Sequence, residues 1–240
     1  MMQPRYSICI TTYQAGKTIK SCLESVLSQL DSRFEVVIVD SESTDGTLEY
    51  LLGLARGGQI SLMVRKCNRG EGRQLAVQQA KGQVLIQQVD ADQRYRTFFK
   101  EAADKYEIQA ARNPETVVIF NCTRPIRMIE QTPSKASFVR KDAFIKRTSW
   151  PPLDYGEDQH VFDELKVVRL EAGDYVEQMK GGILRVLLGA ISNMKQFMDS
   201  GFSFVYVVKK TRHHGILFVA RALVVCAAWV WHKADSRLGS

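Results

Sequence analysis

The chain has 240 residues, 45% hydrophobic and 25% charged, with a formal net charge of +7. Such a composition suits a globular protein with a sizeable core, and the positive excess favours anionic partners: nucleic acid, phosphorylated small molecules or an acidic membrane face. Five cysteines (Cys9, Cys22, Cys67, Cys122 and Cys226) are scattered, odd in number and never in CxxC spacing, so neither a disulfide framework nor a zinc site is indicated and a reducing compartment is expected.

Tyr6–Thr11 is a short β-rich run and the predicted first strand; no apolar stretch follows a basic start, so the expected location is cytoplasmic. A polar loop over Thr12–Lys17 leads to an amphipathic helix. Its stripe is Ile19, Cys22, Leu23, Val26, Leu27 and Leu30. Phe34–Val39 is nearly all apolar, as a strand buried on both faces of a parallel sheet would be. It ends in Asp40–Gly46, a loop with capping residues for a helix through Leu48, Leu51 and Leu52. Ile60–Arg65 is the predicted third strand, and Glu71–Ala80 a third helix closed by Gly82.

Val84–Tyr95 (VLIQQVDADQRY) reads as a strand running directly into Asp90-Ala91-Asp92. Two carboxylates one residue apart at the end of a buried strand repel each other unless a cation sits beside them. A divalent cation that also holds a diphosphate meets that need, since hard oxygen ligands suit Mg²⁺ or Mn²⁺. A polar turn ending a strand is the plain alternative. Alternating strands and helices define an α/β, doubly wound half, whose ligands sit beyond the carboxyl ends of the strands. Thr11–Tyr13, Asp40–Asp45, Asn68–Arg73 and Asp90–Asp92 would then line one crevice.

Thr97–Arg112 is a predicted helix and Val117–Asn121 a strand. Arg124–Arg147 is strongly basic; it reads as a solvated surface or as a face that attracts a phosphate or lipid headgroup. Trp150–Asp158 is a Pro- and Gly-bounded loop before a helix over Gln159–Leu165, and acids there match the helix dipole. Gly181–Met198 carries one apolar face. Ile216–Trp231 would form a helix of ~24 Å against a hydrocarbon core of ~30 Å, with Arg221 as its one charge. A core or dimer helix, an interfacial membrane helix and a transmembrane segment compete for that stretch. Lys209, Lys210, Arg212, Trp229 and Trp231 favour the membrane interface.

Taken together, these clusters resemble family 2 glycosyltransferases, inverting enzymes of the GT-A (nucleotide-diphospho-sugar transferase) fold. Ser7–Gln29 is similar to the family's Thr-Tyr-Asn loop and first helix, with Gln14 where Asn is usual. Val36–Thr47 resembles its second-strand motif, Asn68–Asp92 the stretch ending in its DxD, and Gly156–Asp158 its acceptor-side acidic motif. The likeness covers most of residues 5–170, and the Gln-x-x-Arg-Trp motif of processive synthases is absent. It implies a mostly parallel central sheet flanked by helices over 1–178; the C-terminal third lies outside the likeness, and its apolar and basic pattern is what predicts a helical, membrane-associating extension over 179–240.

The resemblance further implies a nucleotide-diphosphate sugar donor held by Thr11, Thr12, Tyr13, Asp40, Ser43, Asn68, Arg73 and Asp90. Thr12 and Tyr13 would hold and stack the base, Asp40 accept from a uracil- or guanine-type N–H, and Arg73 meet a phosphate. A divalent metal (Mg or Mn) would sit on Asp92, with Asp90 beside it and His214 as a further ligand. Asp158 would take the acceptor hydroxyl's proton, with Glu157 orienting it. A phosphate acceptor needs that base less and would give Arg124 or Arg140 more weight. The implied acceptor is a lipid-linked saccharide, a polyprenyl phosphate or a cell-surface glycan precursor, met at the inner face of the cell membrane. A non-catalytic nucleotide-sugar or membrane-binding protein of the same fold is the rival, as is a sugar nucleotidyltransferase. Nucleic-acid binding rests on charge alone and lacks a basic-aromatic motif.

Overall fold

The computed structural model describes residues 3–121, 135–152, 161, 165–172 and 174–177. All of them fall in one compact unit, Met1–Ile126 with Thr132–Gln178. Its elements run β1 (Tyr6–Thr12), α1 (Ile19–Leu27), β2 (Phe34–Asp40), α2 (Thr47–Arg56), β3 (Ser61–Val64), α3 (Arg69–Gln79) and β4 (Val84–Gln87). Then follow β5 (Gln93–Arg96), α4 (Phe99–Arg112), β6 (Val117–Asn121), β7 (Lys135–Arg140), α5 (Lys141–Arg147), β8 (Val167–Glu171) and β9 (Asp174–Glu177).

Seven strands form one sheet in the order β3-β2-β1-β4-β7-β6-β8. β1 pairs in parallel with β2 and β4, β2 with β3, and β6 with β8; β7 runs antiparallel to both its neighbours. The expected mostly parallel sheet with helices on both sides is what the chain forms. β5 and β9 pair antiparallel as a separate two-stranded ribbon.

The near-continuous apolar strands have a simple cause. Side chains alternate between the two faces of a strand, so a strand covered on both sides must be apolar throughout. Ile8, Ile10, Val36 and Ile38 pack with Ile19, Leu23 and Val26 of α1, Leu51 of α2 and Phe99, Ala103 and Tyr106 of α4. Cys9, Val37, Val39 and Leu85 face the other way, with Ala76 and Val77 of α3, Phe144 of α5 and Trp150. Each such aliphatic side chain, withdrawn from water, contributes about 1.5–3 kcal/mol. The α1 stripe is buried as its spacing predicts, with Leu27 and Leu30 partly covered.

Three predicted features differ. Val84–Tyr95 is not one strand: β4 stops at Gln87, Gln88 turns the chain with φ +63°, and β5 leaves for the ribbon. Gly82 does not close α3, which ends at Gln79 with Ala80 as its C-cap. A Cβ at Gly82 would lie 2.6 Å from the Ser7 hydroxyl, so glycine is there for close approach to β1. The basic run contains β7 and α5. The expected helix over Gln159–Leu165, the Gly181–Met198 helix and Ile216–Trp231 lie mostly or wholly outside the described residues, within which Val161 is helical and buried. Among the described residues no helix is long and apolar enough to cross a membrane.

Candidate active site

Parallel pairing puts the carboxyl ends of β1, β2, β3 and β4 along one edge of the sheet, and the loops leaving them carry the expected polar clusters. Thr12 is in register with Asp40, and Asp40 with Val64. At that edge the Thr12 hydroxyl donates to Asp40 Oδ2 at 2.7 Å. Ser43 donates its hydroxyl to the same oxygen at 2.7 Å and its backbone N–H to Oδ1 at 2.8 Å. Asp40 is fully buried and Thr12 and Ser43 nearly so. These three predicted residues come together, and Asp40's oxygens hold the β1 and β2 loops to each other. Its carboxylate is satisfied from within the protein, as a buried charge must be.

The same two loops are laced further out. The Gln14 N–H donates to the Ser43 hydroxyl at 2.9 Å, and the Gln14 side chain exchanges hydrogen bonds with Thr44 at 3.0 and 3.3 Å. Gly16 N–H donates to Asp45 Oδ2 at 2.8 Å, and Ala15 N–H to the Thr47 hydroxyl at 2.8 Å. Burial acts to raise the Asp45 carboxyl, but hydrogen bonds from Thr47 and Gly16 outweigh it and hold it below the usual carboxylate range. A Cβ on Gly16 would sit 2.4 Å from the Asp45 carbonyl oxygen, so only glycine fits. Gln14 and Glu42 hold left-handed backbone, with φ +49° and +55°. Non-glycine residues in that region cluster at functional sites. Between these loops Tyr13 stands 65% exposed, an aromatic face open to a stacking partner.

Asn68 begins α3. Its side chain accepts from Glu71 N–H at 2.9 Å while Glu71 accepts from Asn68 N–H at 2.9 Å, a reciprocal capping box, and its amide donates to the Pro152 carbonyl at 2.9 Å. Asn68 thus ties the helix to the segment after Trp150. Gly72 lets α3 approach β1: a Cβ there would lie 3.0 Å from Thr11 Cγ2.

One turn along, the Arg73 guanidinium lies over the Trp150 ring, 4.8 Å from its centre, and pairs with Asp90 Oδ1 at 3.5 Å. Asp90 and Asp92 follow the Gln88 turn, both partly exposed, around buried Ala91. Two carboxylates on that rim supply hard oxygen donors of the kind Mg²⁺ or Mn²⁺ accepts when phosphate oxygens complete the shell. Among the described residues no cluster of three or more His, Cys, Asp or Glu side chains makes a complete metal cage.

Asp158, Glu157, Arg124 and His214 lie outside the described residues. Arg140 corrects an expectation. Because β7 is antiparallel, Arg140 pairs in register with Val84 at the start of β4, at the opposite edge of the sheet from Asp90. There it makes an ion pair with Asp142. Trp150, Gly16 and Gly72 were not singled out by sequence. The signal available for Trp150 was a large aromatic closing a strongly basic stretch.

The sheet and its flanking helices form the GT-A fold. The Glycosyl transferase family 2 profile matches residues 7–155, and the chain belongs to that family. Solved structures share the fold at low identity. The mannosyltransferase PcManGT from Pyrobaculum calidifontis, in complex with GDP-Man and Mn²⁺, aligns with a TM-score of 0.60 and 16% identity, over 100% of this chain and 77% of that one. TarS 1–349 of S. aureus in complex with UDP aligns at 0.56 and 18%, over 98% and 73%. Glucosyl-3-phosphoglycerate synthase from Mycobacterium tuberculosis, in complex with phosphoglyceric acid, aligns at 0.58 and 15%, over 84% and 81%. Among curated proteins, the uncharacterized protein MT1568 of Mycobacterium tuberculosis is 37% identical over 95 residues, 38% of this chain and 29% of that protein. The matched stretch therefore spans less than a third of that relative.

Proposed function

We propose that this chain is a metal-dependent, inverting glycosyltransferase that moves a sugar from a nucleotide-diphosphate donor to a lipid-linked saccharide, a polyprenyl phosphate or a cell-surface glycan precursor. The observation that carries the reading is the edge formed by β1, β2, α3 and β4. There a prebuilt loop pair (Thr12, Asp40, Ser43), an open aromatic face (Tyr13) and a cation–carboxylate pair (Arg73, Asp90) share the carboxyl side of one sheet in a family 2 chain. Relatives of the same fold bound to UDP, UDP-GlcNAc and GDP-Man support the donor class.

In this reading Tyr13 stacks the base beside the loops that Thr11 and Thr12 lead into. Asp40 shapes those loops from beneath. Arg73 meets the diphosphate, and Asp92 with Asp90 holds a divalent cation, His214 being a further candidate ligand. When bound, that cation neutralises charge building on the leaving diphosphate. Inversion follows from a single displacement: an acceptor oxygen attacks the anomeric carbon opposite the diphosphate, which leaves; where that oxygen is a hydroxyl, Asp158, oriented by Glu157, takes its proton. The net charge of +7 suits an anionic lipid acceptor and attachment of segment 179–240 to the inner face of the membrane.

Calorimetric titration of UDP, GDP and their sugar conjugates, with and without Mn²⁺, against wild type and Asp92→Ala tests the reading. The expected result is metal-dependent binding of one nucleotide that disappears in the variant. Failure of every nucleoside diphosphate to bind wild type, with or without metal, would overturn it.

A further inference from the structure

The Arg73–Asp90 pair is asymmetric. The arginine side chain is 11% exposed and the carboxylate 50%, so the cation is set into the wall while the acid faces the opening. Trp150 backs Arg73 there, its ring 4.8 Å from the guanidinium. The indole is 3% exposed and fixed from two sides. Its ring N–H donates to Gln87 Oε1 on β4 at 2.5 Å, and its backbone N–H donates to Gln74 Oε1 on α3 at 2.9 Å. Gln87 is buried and its amide nitrogen has no hydrogen-bond partner among the described residues, so the indole bond is what orients that side chain. The ring thus joins the strand leading to Asp90 with the helix carrying Arg73, and presents its π face to the guanidinium.

We propose that Trp150 is a positioning residue that holds Arg73 against Asp90 as the resident counter-cation of the donor site, so that the site takes its divalent cation together with the diphosphate rather than alone. This rests on the donor-site reading above. A fixed positive charge 3.5 Å from Asp90 opposes a second cation at the same carboxylate. An arriving diphosphate would draw the guanidinium to its own oxygens and release Asp90 Oδ1, the oxygen Arg73 holds, for the metal. Metal and diphosphate then strengthen each other's binding, and by linkage the factor is the same in both directions. No bond is made or broken in this exchange; one ion pair replaces another.

The test measures Mn²⁺ affinity alone and with saturating UDP or GDP, whichever binds, on the full chain as wild type, Arg73→Gln, Trp150→Phe and Trp150→Leu. Wild type is expected to bind Mn²⁺ alone weakly and with nucleotide tightly. Arg73→Gln is expected to bind Mn²⁺ alone about fivefold tighter or more, while nucleotide alone binds more weakly, so the coupling factor falls. Trp150→Phe, which keeps a π face but not the bond to Gln87, is expected to retain more of the coupling than Trp150→Leu, which loses it. Arg73→Gln removes a side chain at the cleft wall and tests the proposal even if Trp150→Leu does not fold. Metal affinity unmoved by Arg73→Gln, with nucleotide binding intact in wild type, overturns the proposal alone. Absence of nucleotide binding to wild type overturns the donor-site reading and the proposal with it.

Discussion

Replacing Thr12 by valine keeps the side chain's shape and removes one hydroxyl. The loss falls on Asp40, which is fully buried and takes hydrogen bonds from Thr12, the Ser43 hydroxyl and the Ser43 N–H. Oδ2 receives both hydroxyls, at 2.7 Å each, so Thr12→Val leaves it one donor. A hydrogen bond to a charged group contributes about 1.5–3 kcal/mol. For a chain of this size that corresponds to a fall in melting temperature of roughly 3–12 °C. Circular dichroism melts at pH 7 and urea titrations read it directly. Ser43→Ala should cost a similar amount, its N–H remaining in place. The double variant strips Oδ2 of both hydroxyls and should be worse than the sum by about 1 kcal/mol. A Thr12→Val protein melting within about 1 °C of wild type, or losses that merely add, would refute the view that this carboxylate holds the two loops together.

Gly16→Ala should leave helix content intact yet abolish nucleotide binding in calorimetry, because its methyl meets the Asp45 carbonyl oxygen at 2.4 Å; overpacking of this kind costs about 1–3 kcal/mol. Glu107 accepts from Arg5 at 3.1 Å twice and from the Tyr6 hydroxyl at 2.6 Å. Burial acts to raise its carboxyl, but those bonds hold it below the ordinary value of 4.5. A depressed carboxyl stabilises the fold above its unfolded value and stops doing so as pH falls through its folded value. Wild type should therefore lose melting temperature below about pH 4.5, and Glu107→Gln should show a lower plateau at pH 7 with a shallower acid slope. Burial, with Glu35 nearby, pushes the Cys9 thiol up to about 12, so iodoacetamide at pH 8 should leave Cys9 unlabelled in the native protein and label it in urea, as peptide mapping would show.

The parallel half was legible because its strands are covered on both faces and its helices on one, and both conditions write themselves into apolar spacing. Asp40 was legible because it interrupts an apolar run after Val39, and Asn68 because an asparagine three residues before Glu71 suits a helix start. What escaped has physical causes. Gln88 turns the chain with an ordinary polar side chain and no glycine or proline to announce it. β7 is built from Lys135–Arg140, where flanking charges hide a strand whose Phe138 and Val139 are buried on opposite faces. Sequence alone carries no sign that the Thr12 and Ser43 hydroxyls both reach Asp40. Trp150 acts across distance, touching residues on α3 and β4, and such a meeting is invisible before the chain is folded.

The position of β7 has a consequence for how the chain is made. β1 to β4 can assemble as soon as they are synthesised, since each finds its neighbour among earlier residues. β6 and β8 cannot join them, because β7 is the strand that links β4 to β6. Until Lys135–Arg140 arrives, the outer edge of Val84–Gln87 is an unpaired ladder of apolar residues, the kind of edge that recruits other chains. β7 is thus the keystone of the sheet, and a nascent chain interrupted between α4 and β7 is the form of this protein most prone to aggregate.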